Sequence, residues 1–298
     1  MEQSKKPRRT TKLPHNFSDR KGYDENFITT KGFKIKLDDI LKNHRNALTP
    51  LLTPVGKNKH YLQYHHFTVA MNKSRKMPQL TAVNIDGSLS VEFGRDSDSW
   101  HFDPRIPEED QVPHAVYKGN DLDLGHLVRR LDPVWGDEDI AKNANFDTFH
   151  LTVCAPQHKD LNRKIWLNLE DYILKNANCS NFKASVFTGP IFSDNDVKYD
   201  GVLLPLAFWK IAAMIKKDGT PSVTGYVLSQ EDMLDSIESR GLDDTGFGEF
   251  KTYQVPLSKI AEKTGLNLKS LYKFDPTNTG NRGLTDMFEI ADGSSLML

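Results

Sequence analysis

The chain has 298 residues, of which 38% are hydrophobic and 27% are charged, and its net charge is −1. This length and apolar content suit one large domain, or two small ones, with a buried core. The near balance of charges excludes a globally basic protein, so binding to nucleic acid would require a local basic groove. The chain has only two cysteines, Cys154 and Cys179, too few for a disulfide framework. This low number favours a protein of a reducing compartment.

Residues 1–25 are predicted to form a basic, disordered tail, because Lys and Arg outnumber acidic residues at its start and apolar residues are sparse. We interpret it as a solvated tail, with a nucleic-acid arm or a docking peptide as the alternative. Met1–Lys12 has no apolar segment of the kind found in secretory signals. The longest apolar stretch, residues 201–215, contains Pro205 and Lys210 and is too short to span a bilayer. We therefore expect a cytoplasmic protein that does not bind a membrane.

Strands and a few helices alternate along the rest of the chain. Strands are predicted at Tyr64–Met71, Leu80–Ile85, Ala115–Tyr117, Lys183–Pro190 and Ser222–Leu228. Helices are predicted within Lys34–Leu52, over Asp160–Lys175 and at Leu257–Thr264. The first two strands are expected to be neighbours or a hairpin, and Gly265 is expected to end the last helix. Because strands dominate, the pattern indicates the α+β class.

The first motif that could carry chemistry is Asp123-Leu124-Gly125-His126, followed by Arg129 and Arg130. A histidine after a glycine, at the end of a strand, has room for a substrate to approach. Imidazole titrates at about 6.5 when unperturbed, so a neutral histidine can take a proton from water near pH 7. The two arginines could clamp phosphate oxygens. Taken alone, a Gly-His pair is more often structural.

The second motif lies in the predicted helix Asp160–Lys175, where Asn162, Trp166 and Glu170 recur every four residues beside an apolar stripe. The side-chain carbonyl of asparagine suits Mg²⁺, a hard ion that keeps several of its waters. Taken alone, Asn162 is more readily interpreted as a polar residue at a helix start. Trp166 would then be a core residue, and Glu170 a solvated charge.

The order of these motifs resembles the DNA/RNA non-specific endonucleases of the ββα-metal type, the group that includes endonuclease G. That family's signature runs Asp-Arg-Gly-His, Thr-Phe-x-Leu, Ala-Pro-Gln and then Asn-x-x-x-Trp-x-x-Leu-Glu. Its counterparts here are, in the same order, Asp123–His126, Thr148–Leu151, Ala155–Gln157 and Asn162–Glu170. The resemblance extends outward to an early hairpin that begins near Arg75 and to later strands, and it covers most of the chain.

The resemblance implies a fold and a domain organisation. The fold would be the ββα-metal nuclease fold of the α+β class, a central antiparallel sheet flanked by helices. A hairpin and the helix after it would form the finger that presents the site. The nuclease domain would span residues 26–275, after the basic tail of residues 1–25, and residues 276–298 would form a C-terminal tail.

The resemblance also implies the site. His126 would be the general base, Asn162 the metal ligand, and Glu170 the acid that holds metal-bound water. We assign Asp123 to the catalytic group as well. The substrate phosphate is assigned to Arg75, Arg129 and Arg130.

The activity that follows is Mg²⁺-dependent hydrolysis of DNA, RNA or both, without regard to sequence or sugar, with Mn²⁺ as a substitute ion. The products would carry a 5′ phosphate. A homodimer is a candidate assembly, and an inhibitor or an activating protein is a candidate partner, because an unrestrained nuclease would harm its own cell.

The chain departs from the family pattern at two positions. Leu124 replaces the arginine between Asp and Gly, and Val153 replaces an asparagine common before Ala-Pro-Gln. Loss of such a phosphate contact costs about 2–4 kcal/mol in the transition state. Arg129 or Arg130 could supply the missing charge. Two alternatives remain: a weakened nuclease fold that binds nucleic acid or a protein, and a nuclease active only after a partner activates it.

Overall fold

The computed structural model describes residues 17–28, 30, 33–94, 99–162, 183–216, 218–234, 252–278 and 288–289. The strands, in chain order, are β1 (Tyr61–Gln63), β2 (Phe67–Asn72), β3 (Met77–Asp86), β4 (Leu122–His126), β5 (Cys154–His158), β6 (Lys183–Ile191), β7 (Val197–Tyr199), β8 (Val202–Leu204), β9 (Ala207–Ile215), β10 (Pro221–Ser229), β11 (Thr252–Val255) and β12 (Phe288–Glu289). The α-helices are α1 (Leu37–Ile40), α2 (Glu138–Asp147), α3 (Glu231–Leu234) and α4 (Leu257–Thr264).

Eight of the described strands form one sheet in the order β1-β2-β3-β6-β9-β10-β11-β12, with antiparallel neighbours throughout. The remaining strands form two small hairpins, β4–β5 and β7–β8. Side chains on the long central strands alternate between two hydrophobic cores: Val186 and Phe208 lie in one, Phe187 and Trp209 in the other. The sheet is therefore buried on both faces, which explains why nearly every residue of β3, β6 and β9 is buried.

Different elements cover the two faces. The helices α1 and α4 contribute to the core that contains Trp209, whereas Leu122 and Ala155 of the β4–β5 hairpin belong to the core that contains Phe208. Within the described part of the chain, no helix is both long enough and apolar enough to cross a membrane.

Several predicted elements are confirmed. The first two predicted strands are β2 and β3, which pair as an antiparallel hairpin. The predicted strands near residues 183 and 222 are β6 and β10. Helix α4 covers Leu257–Thr264 and ends at Gly265, whose φ of 70° is a left-handed conformation that glycine adopts without strain.

The predicted strand Ala115–Tyr117 is wrong, because this segment belongs to a 3₁₀ helix, His114–Tyr117. Its backbone bonds run from Val116 N to Pro113 O and from Lys118 N to Ala115 O. The strand would have required a neighbour, and the chain places none beside these residues in the described structure. A local turn therefore satisfies the backbone instead.

Two predicted helices are borne out only in part. Within Lys34–Leu52 the chain forms α1 and a 3₁₀ helix, Arg45–Ala47, rather than one continuous segment. Of the predicted helix Asp160–Lys175, the structure describes residues up to Asn162, and residues 159–162 are helical. The rest of that helix lies outside the described residues.

Part of the predicted basic tail packs against the domain. Arg20 Nη2 lies 3.3 Å from Oδ1 of the buried Asp147, and the backbone N–H of Tyr23 donates to Thr68 Oγ1 at 2.8 Å. Phe17 stacks under the Arg105 guanidinium, whose carbon lies 3.9 Å from the ring centroid. We therefore propose that the folded domain begins no later than Phe17 and that its C-terminal limit lies beyond residue 275, since β12 extends the sheet.

Candidate active site on the β4–β5 hairpin

The hairpin places most of the sequence motifs next to one another. Strands β4 and β5 pair so that Asp123 lies opposite Gln157 and His126 opposite Cys154. His126 is the last residue of its strand, β4. From the end of β5 the chain turns directly into the helical residues 159–162. Two strands and the start of a helix thus form one local unit.

Glycine is required at position 125, directly before His126, for a structural reason that the sequence does not reveal. A Cβ atom at Gly125 would lie 2.0 Å from Oε1 of Gln157, so the Gln157 amide occupies the space above the glycine. Gln157 is fully buried, and neither polar atom of its amide has a hydrogen-bond partner in the described structure. The room at Gly125 is therefore taken by a protein side chain rather than left for substrate.

Asp123 and Asn162 are joined across this unit. The Nδ2 atom of Asn162 donates a hydrogen bond of 3.1 Å to Oδ2 of Asp123. Because the amide nitrogen is bound to a carboxylate, Oδ1 of the partly exposed Asn162 points elsewhere and stays a candidate oxygen donor for a hard cation. Among the described residues, no three His, Cys, Asp or Glu side chains cluster in a way that could hold a metal ion.

Two aromatic rings pack against His126. The ring centroid of Trp100 lies 4.6 Å from that of the imidazole, and the ring of Phe149 lies 5.5 Å away at 83°. All three side chains are partly exposed. Phe149 belongs to the Thr-Phe-x-Leu motif, but no sequence motif pointed to Trp100. The sequence feature that could have indicated Trp100 is an aromatic pair, Trp100 and Phe102, within a mainly polar loop.

A buried glutamine attaches the hairpin to the central sheet. Gln230 follows β10, and its Nε2 donates to the carbonyls of Pro205, at 2.6 Å, and Pro156, at 3.3 Å. Its Oε1 accepts the backbone N–H of His158 at 2.8 Å. A single side chain therefore bonds to both β5 and the segment before β9, which sets the position of the hairpin on the sheet.

The three arginines assigned to phosphate are placed differently. Arg75 forms an ion pair with the buried Asp196, and its guanidinium lies 4.7 Å from the centroid of the Phe192 ring. Arg130 donates to Asn145 Oδ1 at 3.1 Å. Arg129 is partly exposed and lies three residues after His126. To bind phosphate, Arg75 would have to exchange a buried carboxylate for it.

Cys154 lies directly opposite His126 in the hairpin but has no nucleophilic character. Burial raises the pKa of its thiol to about 12, while a hydrogen bond with Tyr117 lowers it to a smaller extent. The side chain is therefore a neutral thiol near pH 7. Glu170 and Trp166 lie outside the described residues.

Comparisons with known proteins agree on one family. The profile of the DNA/RNA non-specific endonucleases matches residues 45–274. The protein y4fB of Sinorhizobium fredii is 39% identical over 279 residues, which are 89% of this chain and 41% of that protein. Mitochondrial endonuclease G of Bos taurus is 26% identical over 190 residues, 60% of this chain and 58% of that protein. The chain therefore spans less than two thirds of each of these relatives.

The fold is also similar to that of a solved structure. A chain in the crystal structure of the EndoG/EndoGI complex, described as showing the mechanism of EndoG inhibition, superposes with a TM-score of 0.55. The sequences are 18% identical, and the match covers 77% of this chain and 89% of that chain. This similarity confirms the α+β class and the ββα-metal fold with its central antiparallel sheet.

Proposed function

This chain belongs to the DNA/RNA non-specific endonuclease family, and we propose that it hydrolyses phosphodiester bonds of DNA, RNA or both with the help of a divalent metal ion. The observation that carries the proposal is the hydrogen bond between Asp123 and Asn162. It ties the strand that ends at His126 to the helical turn that bears the candidate metal ligand. A base and a ligand on one rigid unit are what such a reaction needs.

His126 is the proposed general base. A neutral imidazole takes a proton from water as the water oxygen attacks phosphorus, in line with the 3′ oxygen. The new P–O bond forms as the bond to the 3′ oxygen breaks. The leaving oxygen takes up a proton from solvent to become a 3′ hydroxyl, His126 returns its proton to solvent, and the other product carries a 5′ phosphate.

Asn162 is the residue proposed to hold the ion, through Oδ1, because its Nδ2 is bound to Asp123. This donor fits Mg²⁺, with Mn²⁺ as a substitute, since such ions bind oxygen and retain waters that fill the remaining positions. When bound, the ion supplies a Lewis acid and a template for the phosphate. Asp123 orients the ligand, and Glu170 is kept as the further carboxylate of the site by resemblance.

Among the cations, we favour Arg129 as the replacement for the family's arginine, whose position is Leu124 here, because Arg129 is partly exposed and lies three residues after His126. Arg130 donates to Asn145, and Arg75 forms an ion pair with Asp196. Contacts to phosphate and sugar carry no sequence information, which accounts for cleavage without sequence preference.

Protein partners and location belong to the same proposal. The similar solved structure is of EndoG with EndoGI, and an inhibitor is accordingly the protein partner we favour for this chain, with a homodimer as the candidate assembly. We keep the cytoplasm as the proposed location, although the Bos taurus relative is named as mitochondrial.

The test is cleavage of supercoiled plasmid and single-stranded RNA by the purified chain, with Mg²⁺, Mn²⁺ or EDTA. We expect ion-dependent cleavage that His126→Ala abolishes. His60→Ala is the matched control, because His60 is a partly exposed histidine whose ring contacts the carbonyl of Thr49 rather than the hairpin.

Two outcomes would contradict the proposal, and a third would favour a nuclease under control of a partner. Cleavage that survives in His126→Ala would remove the histidine from its role. A folded wild-type protein that binds nucleic acid but never cuts it would favour the weakened nuclease fold. If cutting appeared only after a cell extract was added, the nuclease that requires an activating partner would be favoured instead.

A further inference from the structure

Two aromatic side chains beside His126, Trp100 and Phe149, are not used by the proposed chemistry. The ring centroids of the three side chains lie 4.6 to 5.5 Å apart, and their planes are inclined to one another at 48°, 72° and 83°. All three residues are partly exposed and lie near the end of β4. A partly exposed tryptophan next to a general base is in a position to touch the substrate.

Trp100 is held in this position by its backbone neighbours. The N–H of His101 donates to the carbonyl of Phe149 at 2.9 Å, and the N–H of Leu151 donates to the carbonyl of His101 at 2.8 Å. His101 and His150 thereby form a parallel bridge. These bonds hold the backbone next to Trp100 against the segment that carries Phe149.

The indole of Trp100 differs from the other described tryptophans in how its faces are used. Trp209 is fully buried. The Trp135 ring is stacked on His66, with centroids 3.4 Å apart and 10° between the planes. The ring contacts of Trp100 are at 48° and 72°, and within the described residues no aromatic ring lies parallel to it.

We propose that Trp100 stacks on a nucleobase of the substrate, adjacent to the phosphate that His126 helps to attack; this rests on the proposed endonuclease function. The indole centroid lies 4.6 Å from the imidazole centroid. The base of a nucleotide that flanks a phosphate beside His126 is therefore close enough to reach the indole once it is unstacked. Every base has a π face, so this contact accepts any sequence.

Stacking on Trp100 would favour single-stranded over double-stranded substrate. A base within a duplex is covered by its neighbours and has no face available for the indole. A single-stranded nucleotide can turn its base onto Trp100 at little cost. We therefore expect single-stranded DNA and RNA to be cleaved faster than a duplex of the same sequence.

The experiment is a double-mutant cycle on binding. A fluorescent single-stranded DNA oligonucleotide, and the same oligonucleotide with abasic sites at alternate positions, are titrated in EDTA at low salt. The proteins are wild type, Trp100→Leu, Trp100→Phe and Trp135→Leu. Removing bases should weaken binding to the wild type about tenfold, and to Trp100→Leu far less, because stacking on one aromatic residue changes affinity by roughly 5- to 150-fold.

The controls separate stacking from folding and from catalysis. Trp100→Phe keeps a flat ring and should retain most of the sensitivity to abasic sites, and Trp135→Leu should retain all of it. Thermal unfolding checks that each variant is folded. Equal sensitivity in wild type and Trp100→Leu, or a wild type indifferent to abasic sites, would overturn the proposal. Because binding in EDTA requires no turnover, a protein that fails to cleave would contradict the endonuclease function without deciding this result.

Discussion

Asn162 donates a hydrogen bond of 3.1 Å from Nδ2 to Oδ2 of Asp123, across the junction between the β4–β5 hairpin and the helical turn that follows it. A side-chain amide can point either its nitrogen or its oxygen at a given neighbour. A carboxylate can only accept a hydrogen bond, so it pairs with the amide nitrogen. Asp123 therefore selects the orientation in which Oδ1 of Asn162 is available to a cation.

Asp123→Asn is expected to weaken binding of the metal ion by about 10- to 100-fold, the usual effect of losing a group that orients a ligand. An asparagine at position 123 can donate as well as accept, so it no longer selects the orientation of Asn162. The measurement is the Mg²⁺ concentration that gives half-maximal cleavage. Asp121→Asn is the control, since Asp121 is exposed and paired with Lys159. An unchanged Mg²⁺ requirement would remove this role from Asp123.

Gly125→Ala is expected to destabilise the protein by about 1–3 kcal/mol, the usual cost of forcing extra volume into a packed site. Its Cβ would lie 2.0 Å from Oε1 of Gln157, which has to move. The measurement is the free energy of unfolding in urea. Gly94→Ala is the control, because a Cβ there meets nothing within 4 Å. Shortening the neighbour in Gly125→Ala/Gln157→Ala should recover much of the loss; if it recovers none, the clash is not the cause.

Arg129→Ala is expected to lower kcat by about 10²–10³, the size of effect seen when one group that stabilises the transition-state charge is removed. Arg45→Ala should leave kcat unchanged, since Arg45 is an exposed residue of a short 3₁₀ helix and faces Asp38. The measurement is the steady-state rate on plasmid and on single-stranded RNA. Equal rates in the two variants would show that Arg129 does not replace the family's arginine.

Gln230→Ala is expected to lower both stability and activity. The substitution leaves the carbonyls of Pro205 and Pro156 without their shared donor and removes the acceptor of the His158 N–H. Each buried polar group left without a partner costs about 1–3 kcal/mol. Urea unfolding and cleavage assays at a temperature where the variant is folded measure the two effects. Gln63→Ala is the control, since the exposed hydrogen bond from Gln63 Nε2 to the Lys21 carbonyl lies on the edge strand. Full activity in folded Gln230→Ala would show that the hairpin does not depend on this side chain.

The local elements could be predicted because their signals lie within a few residues of one another. The apolar run of β6, the alternation in β3 and the Thr264–Gly265 end of α4 each depend on short-range propensity and periodicity. Ala115–Tyr117 shows the limit of such reasoning. Its residues suit a strand, but a strand also needs a partner, which a local pattern does not provide.

By itself, the sequence determined the fold class, the family resemblance and the order of the motifs, including the one that ends at His126 and the one that begins at Asn162. Only the tertiary structure decided what surrounds them. It placed Trp100 against the imidazole, paired Arg75 with Asp196, and filled the space above Gly125 with Gln157. Propensity and periodicity act between near neighbours in the chain, whereas the partners of a buried charge or an aromatic ring are set by how distant segments pack around one sheet.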